Sequence, residues 1–485
     1  MKFNRAILAS TATLFIISGC ALQPPADSKV NGVQARWANS ANSVFQAPQD
    51  TKDERIEAQT KWWVALSDGL IDELIEAAEL RSPTVALALA RTEEARATLD
   101  WADASRGPKV AGDGSSKRGS SQSAASGAQT TTSINLNLSW EIDLFGRIKH
   151  SAAAATQRLA ARESDAQSTR LSLQAQVIDT TLALTACNAK LVARNEDVRS
   201  RQHTQRLTAL RESVGQVAPI DTARATSSTV ESSTQLANTA SQCAQLKNSL
   251  VSLTGWTMTR LDEMLATKTS QKAGRIVASP PGSELALPAT ILTRHPSVVS
   301  ALRTADAAFE DLGGAEAARY PSLSLSALLS QSWIRALGQT SNSNSWSLGG
   351  SLIGTLFDGG ASKANARAAQ ARYAQAIAQL DSTVRSTTLD IENALLTLAN
   401  AQTREQLSED GLSASKQLLV GSEASYRAGR MSLFELEDAR RSYNNAVVAR
   451  IDAERDHAQA WVSLVKATGN GLRASVAPIR STSSS

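Results

Sequence analysis

The chain has 485 residues, a formal net charge of +4 and aromatic residues at only 4% of its positions. Its Arg and Lys residues lie beside Glu and Asp along the predicted helices, which excludes a concentrated positive surface for nucleic acid. The many Ala, Ser, Thr and Gln residues favour long, thin helical assemblies over a globular enzyme.

The N-terminus has the pattern of a bacterial lipoprotein signal. Lys2 and Arg5 precede a twelve-residue apolar stretch, too short to span a bilayer, and Ile17-Ser18-Gly19-Cys20 follows. We predict a signal peptide over residues 1–19, cleavage before Cys20 and lipid attachment to its thiol. A plain signal peptide with an incidental cysteine is the alternative. No Asp follows the cysteine, which favours the outer membrane, and residues 20–60 are predicted to be an anchor and linker.

Alternating residues predict membrane strands. Residues 133–144 alternate strictly between polar and apolar side chains, which predicts a two-faced strand longer than the ~9–11 residues that a tilted membrane strand needs. An amphipathic strand of a soluble sheet is the alternative. Weaker alternation occurs over residues 323–329 and 346–356. The polar, turn-rich runs 112–127 and 338–345 are interpreted as surface loops.

Each strand pair is followed by a long helix and a return helix. Residues 146–213 contain neither Pro nor Gly between Gly146 and Ser213, which predicts a helix of about 100 Å at ~1.5 Å per residue. Residues 360–428 carry an apolar heptad pattern that packs helices side by side, as in a coiled coil. Both helices are predicted to end at a turn, at Gly215 and Gly429, before return helices that reach about Leu253 and Val465.

The whole pattern occurs twice. Arg81-Ser82-Pro83 recurs as Arg294-His295-Pro296, and Leu253-Thr254-Gly255 recurs as Ala467-Thr468-Gly469, at an offset of about 213 residues. We therefore predict a first structural repeat over residues 61–280 and a second over 281–470. A flexible tail is expected over residues 471–485.

Two cysteines remain if Cys20 carries lipid. Cys187 and Cys243 lie at equal distances in sequence from Gly215, on the two arms of the first hairpin. Antiparallel helices with equal arms place them at the same height, and an oxidising compartment then favours a disulfide. Two buried free thiols are the alternative, because spacing does not show whether the side chains face each other.

No catalytic or metal-binding motif stands out. No spacing among His and Cys is typical of a metal site, and the chain lacks a phosphate-binding glycine loop and a nucleophile elbow. We expect no enzyme activity, no cofactor and no metal. We interpret each of the four histidines as a solvated helix residue: His150, His203, His295 and His457.

Four further motifs stand out along the chain: Trp62-Trp63 with residues 70–75, Pro83 with residues 90–91 and 94–96, Leu144-Phe145-Gly146, and Tyr426-Arg427-Ala428-Gly429. Together these motifs resemble the outer-membrane efflux family, TolC-like and closest to its lipoprotein branch. The resemblance implies a homotrimer in which four strands per chain make a twelve-stranded transmembrane β-barrel, continuous with a long α-helical periplasmic barrel. The number of strands per chain alone does not exclude an assembly of two chains with an eight-stranded barrel.

The resemblance also implies a periplasmic gate. In the family the tip narrows to an iris lined by acidic residues on the helix after the second-repeat glycine, which here are Glu435 and Asp438. The first-repeat equivalent is Asp221, and Leu433 and Phe434 are candidates for a dry constriction beside it. A ring of such acids favours cations. An ordinary solvated helix face is the alternative for Glu435 and Asp438.

The implied partners follow from the same resemblance. A periplasmic adaptor is expected to dock on the tips at Gly215, Gly429 and Arg430, and Arg430 is also a candidate for the gate arginine of the family. An inner-membrane transporter, proton-driven, supplies the energy. The chain itself is then a passive exit duct in the outer membrane, lipid-anchored, with helices in the periplasm.

Two other functions are alternatives to small-molecule efflux. The same architecture serves as a duct for type I protein secretion. A periplasmic lipoprotein with a structural or peptidoglycan-linked enzymatic role is the third possibility, and it would need no alternating strands.

Overall fold

A computed structural model describes residues 37–38, 61–66, 69–120, 128–269, 283–285, 288–336, 339–469 and 472–474. The predicted signal peptide and the lipid attachment site at Cys20 lie outside these residues. In the described part, no helix has the length and apolar character needed to cross a membrane.

The first half of the chain begins with a short 3-10 helix at Trp62–Leu66. The elements that follow are α1 (Gly69–Arg81), α2 (Pro83–Ala104), β1 (Lys109–Ser120), β2 (Ala128–Ile142), α3 (Arg147–Ser213), α4 (Pro219–Thr254) and α5 (Met258–Thr269). Proline at the first position of α2 fits its fixed φ and missing N–H.

The second half repeats this order. Its elements are β3 (Ser283–Leu285), α6 (Pro288–Arg294), α7 (Pro296–Ala317), β4 (Ser322–Ala336), β5 (Gln339–Ile353), α8 (Ala361–Arg427), α9 (Leu433–Ala467) and β6 (Leu472–Ala474). Helices α3 and α8 each contain 67 residues, so the predicted pair of very long helices is confirmed.

The described chain divides into two compact units. The strand unit contains Thr98–Gln157 and Ala305–Gln375, and the helical unit contains Val30–Ala97, Arg158–Thr304 and Ala376–Ser485. The hairpin tips, both cysteines of the predicted disulfide and the buried heptad residues all belong to the helical unit.

The strand unit holds one antiparallel sheet in the order β1-β2-β4-β5. Strand β1 pairs along its whole length with β2, and β5 pairs from Gln339 onward with β4. The interpretation of residues 112–127 and 338–345 as loops is therefore wrong for residues 112–120 and 339–345. Gly and Ser are weak strand formers alone, but a full ladder of partner strands overrides that local preference.

The predicted alternation of faces is confirmed by the register. One face carries a polar network in which Asp113 accepts hydrogen bonds from Asn135 at 2.8 Å and from Asn137 at 2.6 Å. Ser330 on β4 extends it by donating to Asn135 at 2.7 Å. The other face exposes apolar side chains: Ile134, Leu136, Trp140, Leu329, Trp346, Leu348 and Leu352. One side of the sheet thus suits water and the other suits lipid.

The core of the helical unit follows the heptad pattern of α8. Its buried members are Leu380, Val384, Ile391, Leu395 and Leu398. The Trp62-Trp63 motif is buried in the same core, where the ring of Trp62 lies 5.7 Å from that of Trp461. The N-terminal aromatic motif therefore joins the start of the first repeat to the last helix of the second.

The interpretation of every histidine as solvated is wrong for three of the four. His150 lies 2.6 Å from Glu310, and His457 forms a hydrogen bond with Glu405. His295 is buried, and this burial lowers its pKa although nearby Asp390 raises it. The acidic partners of these histidines lie on facing helices, so the spacing of residues along one helix could not predict them. Only His203 is exposed.

Candidate gate at the hairpin tips

The two hairpin tips have the same backbone geometry. Gly215 and Gly429 adopt φ values of +72° and +69°, in the left-handed region that glycine tolerates best. In each tip the glycine N–H donates three residues back, and the next N–H donates five residues back, at 2.8–2.9 Å. This is the glycine-terminated helix end that satisfies the last carbonyl groups of a helix.

The return helices begin differently. Helix α4 starts with Pro219 after Ala218, which provides no side-chain cap. Helix α9 starts with a capping box, in which Ser432 Oγ accepts from Glu435 N at 3.3 Å and Glu435 Oε2 accepts from Ser432 N at 2.8 Å. The hydrogen bonds from Ser432 hold the pKa of Glu435 below its usual value. Both return helices therefore carry an acid in their first turn, Asp221 in α4 and Glu435 in α9, but of the two only Glu435 belongs to a capping box.

The structure places the two predicted gate acids on one helix, with different partners. Glu435 turns back onto the backbone of Ser432, whereas Asp438 pairs with Arg441 one turn further along. The side chain of Asp438 is 70% exposed. The two acids do not bond each other: within one chain the charge of Asp438 is balanced by Arg441, and Glu435 is held by Ser432.

The remaining predicted gate residues meet at Arg224 on α4. Its guanidinium lies 5.6 Å from the ring centre of Phe434 and 4.0 Å from Asp221. Leu433 is half-buried and Arg430 is exposed. The structure thus joins Asp221 and Phe434, which come from different hairpins, through an arginine that the sequence analysis did not single out.

A second link between the hairpins lies further from the tips. Glu437 Oε1 accepts hydrogen bonds from Thr204 at 2.8 Å and from Arg440 at 2.9 Å. Arg440 also lies 3.8 Å from Glu423 on α8. Helices α3, α8 and α9 are therefore tied together within about three turns of the second tip.

These links belong to a regular polar seam between α3 and α9. Three residues of α3, each seven positions apart, contact residues of α9 in reverse order: Lys190 with Asp452 at 2.6 Å, Asp197 with Asn444 at 2.5 Å, and Thr204 with Glu437 at 2.8 Å. Seven-residue spacing keeps one helix face against its partner along the seam. Sequence reasoning missed it because the two helices lie in different repeats.

Asp179 is a further acid that the sequence did not indicate. It lies on α3 and is half-buried, and its Oδ1 atom is buried with no hydrogen-bond partner in the described residues. Burial raises its pKa to about 7, although the positive charge of Lys466 partly offsets this effect. The side chain is therefore half-protonated near neutral pH.

Asp179→Asn should make stability less dependent on pH. Because the folded protein binds this proton more tightly than the unfolded chain, the contribution of Asp179 to stability falls as pH rises from about 4 to about 7 and changes no further above that. We expect the variant to match the wild type near pH 4 and to exceed it by on the order of 2 kcal/mol at pH 8. Thermal midpoints of the purified protein from pH 4 to pH 8 measure the difference, and a gap independent of pH would contradict it.

The two cysteines meet on facing helices. Cys187 on α3 and Cys243 on α4 are joined by a disulfide in the structure, with their Cα atoms 5.6 Å apart. Both side chains are buried in the core of the helical unit. Across the described residues there is no group of three or more His, Cys, Asp or Glu side chains placed to hold a metal ion.

A two-faced sheet connected to two long hairpins with glycine-ended tips defines the protein as a channel of the outer-membrane type. The channel CmeC from Campylobacter jejuni has the same fold, with a TM-score of 0.77, 23% identity, and coverage of 89% of this chain and 95% of CmeC. Residues 74–256 and 287–470 both match the outer membrane efflux protein family, and the chain belongs to that family. The two matched segments fall in the two halves of the repeated element order.

Two relatives show the breadth of the likeness. The chain is 27% identical to the pyoverdine export outer membrane protein OpmQ of Pseudomonas putida, over 89% of this chain and 92% of the relative. It is 25% identical to the outer membrane protein OprJ of Pseudomonas aeruginosa, over 94% of each. Both alignments cover most of the two chains compared, and the protein is an outer-membrane efflux component with helices on the periplasmic side.

Proposed function

We propose that three copies of this chain assemble into a passive exit duct. The observation that carries the proposal is the two-faced sheet, which has an unpaired edge at β1 and another at β5. Backbone groups at a lipid-exposed edge must find partners, so the sheet needs strands from other copies to close. The polar network around Asp113 then lines the water-filled side.

The assembly works with an adaptor and an inner-membrane transporter. The adaptor docks on the tips, around Gly215, Gly429 and exposed Arg430, and the proton-driven transporter supplies the energy. Docking shifts the second hairpin relative to the first, which stretches the contacts of Arg224 with Phe434 and of Thr204 with Glu437. In the absence of the adaptor these contacts favour the closed tip. The duct itself carries out no reaction.

Small molecules and ions are the proposed cargo. Relatives are named for export of pyoverdine, antibiotics, toluene and cations. None of these names refers to a polypeptide, so small-molecule efflux is favoured over type I protein secretion. A compound panel tested on a deletion strain would identify the cargo.

The gate proposal is tested by removing the charges of Glu435 and Asp438 while the helix start is kept. Glutamine also serves in a capping box, so Glu435→Gln combined with Asp438→Asn removes charge without removing the cap. We expect higher single-channel conductance in planar bilayers. Block by multivalent cations should weaken about tenfold, because each charge pair contributes roughly 1 kcal/mol in water and several act together.

Two further variants separate charge from structure. Glu435→Ala breaks the capping box and should loosen the helix start, with unstable rather than uniformly raised conductance. Glu231→Gln removes an exposed charge from α4 and should leave conductance and block unchanged. Wild-type block in the double variant would place the cation-binding ring elsewhere.

A further inference from the structure

The apolar face of the sheet has a defined height. On β4 the residues of this face run from Leu323 to Trp333, ten steps along the strand, and all of them are apolar except Gln331. At ~3.4 Å per step and a tilt of about 40°, this run spans about 26 Å, close to the ~25 Å apolar band of outer-membrane strands. Trp140 lies near one end of the band and Trp333 at the other, where aromatic side chains meet the two membrane interfaces.

The connections of the strands fix which end faces outward. Helix α2 leads into β1, and α3 follows β2, so the ends at Lys109 and Ile142 are joined to helices. The helices extend into the periplasm. The opposite ends, near Ser120 and Ala128, therefore face the exterior, and so does the Trp333 end of the apolar band.

Two arginines lie one level beyond Trp333 on the same face. Arg118 on β1 pairs with Thr130 on β2, and Thr130 pairs with Arg335 on β4. The two arginines are thus two strand spacings apart, roughly 10 Å between Cα atoms. Both are exposed, and neither forms an ion pair with any other residue that the structure describes.

No acid on this face can neutralise them. The four strands contain only two acidic residues, Asp113 and Glu141. Both lie on the polar face, because Asp113 pairs with Asn135 and Glu141 pairs with Ser324. The outward end of the apolar face therefore carries two unneutralised positive charges directly above the hydrocarbon boundary.

We infer that Arg118 and Arg335 form a binding site for the phosphate groups of outer-leaflet lipid. Guanidinium groups bind phosphate bidentately, and Thr130 places a hydroxyl between the two arginines. Lipid phosphates lie immediately outside the hydrocarbon region, which is the level that the register gives these side chains. The inference rests on the membrane position of the sheet and goes beyond the proposed duct and gate.

The test compares two faces of the same strand. Full-length protein in detergent is mixed with a diphosphorylated glycolipid, lipid A, in EDTA so that divalent cations cannot bridge protein and lipid. Arg118→Gln combined with Arg335→Gln should lower its affinity about tenfold, because two charge-assisted contacts are lost. The matched control is Lys117→Gln. Lys117 pairs with Thr131 on the polar face, and its removal should leave affinity unchanged.

Further arms identify the ligand chemistry. Dephosphorylated lipid A should bind the wild type and the double variant equally. Arg118→Lys combined with Arg335→Lys should bind phosphorylated lipid with intermediate affinity. Equal binding of phosphorylated lipid by wild type and double variant overturns the inference, and so does an equal loss in Lys117→Gln. Displacement of the lipid by a few millimolar inorganic phosphate would show a free-anion site and overturn the assignment to lipid.

Folding of the variants is checked by conductance in planar bilayers, which should remain at the wild-type value. The single variants Arg118→Gln and Arg335→Gln, each expected to lose about threefold in affinity, replace the double variant if it does not insert. Because conductance reports on the duct and lipid binding on the arginines, failure of one proposal is distinguishable from failure of the other.

Discussion

Asp197→Ala should destabilise the helical unit by about 3–5 kcal/mol. Asp197 is 3% exposed and accepts hydrogen bonds from Arg201 at 3.0 Å, Ser232 at 2.6 Å and Asn444 at 2.5 Å. Alanine would leave the guanidinium of Arg201, whose side chain is only 11% exposed, without its carboxylate. An uncompensated buried charge costs much more than a lost surface contact.

The measurement is the thermal midpoint of the purified protein at one fixed scan rate, because large assemblies can unfold irreversibly. Asp262→Ala is the matched control. Asp262 pairs with Lys247 at 2.7 Å, but its side chain is 50% exposed, and surface pairs contribute only about 0–1 kcal/mol. Similar shifts in the two variants would show that Asp197 has no special structural role.

Asp197 also connects elements that the proposed gate must move. Its partners lie on α4 through Ser232 and on α9 through Asn444, so one carboxylate joins both return helices to α3. In the proposed gate, opening of the tip separates at least some contacts along this seam. The polar seam therefore has two consequences: it stabilises the closed arrangement, and it can separate in steps because water can replace each polar contact.

The elements that could be predicted were those with strong local patterns. Helix α3 followed from the absence of Pro and Gly over residues 147–213, α8 followed from its apolar heptad pattern, and β2 followed from strict alternation. Strand β1 was missed, because its Gly, Ser and charged residues are typical of a loop when read alone. Its pairing with β2, from Lys109 to Ser120, is a tertiary effect with no local signal.

The partners of the predicted gate residues were also missed. Glu435 was singled out by its distance from Gly429, yet its hydrogen bonds with Ser432 became visible only in the structure. The sequence Ser432 to Glu435 does carry the spacing of a capping box, which could have indicated them. Arg224 carried no such signal, because its neighbour Phe434 lies more than two hundred residues away.

Unlike the gate contacts, the cysteine pair could be predicted from the sequence, because the two cysteines lie at equal distances from Gly215 on the two arms of the first hairpin. Titration of the purified protein in denaturant without reductant should find neither Cys187 nor Cys243 free. Two reactive thiols assigned to these positions by peptide mapping would contradict the disulfide, whatever the state of Cys20.

Reduction of this bond should have a large effect on stability. The bond closes a loop of 56 residues, and removal of such a constraint from the unfolded chain costs about 2–4 kcal/mol. We expect reductant to lower the thermal midpoint of the wild type by several degrees. The matched control is the double variant Cys187→Ala with Cys243→Ala, whose midpoint should be low with or without reductant.

Because the second hairpin has no cysteines in α8 or α9, only the first hairpin is cross-linked by a disulfide. Conductance of the double variant should therefore stay at the wild-type value below its unfolding temperature, and a raised conductance would show that the first hairpin also takes part in opening.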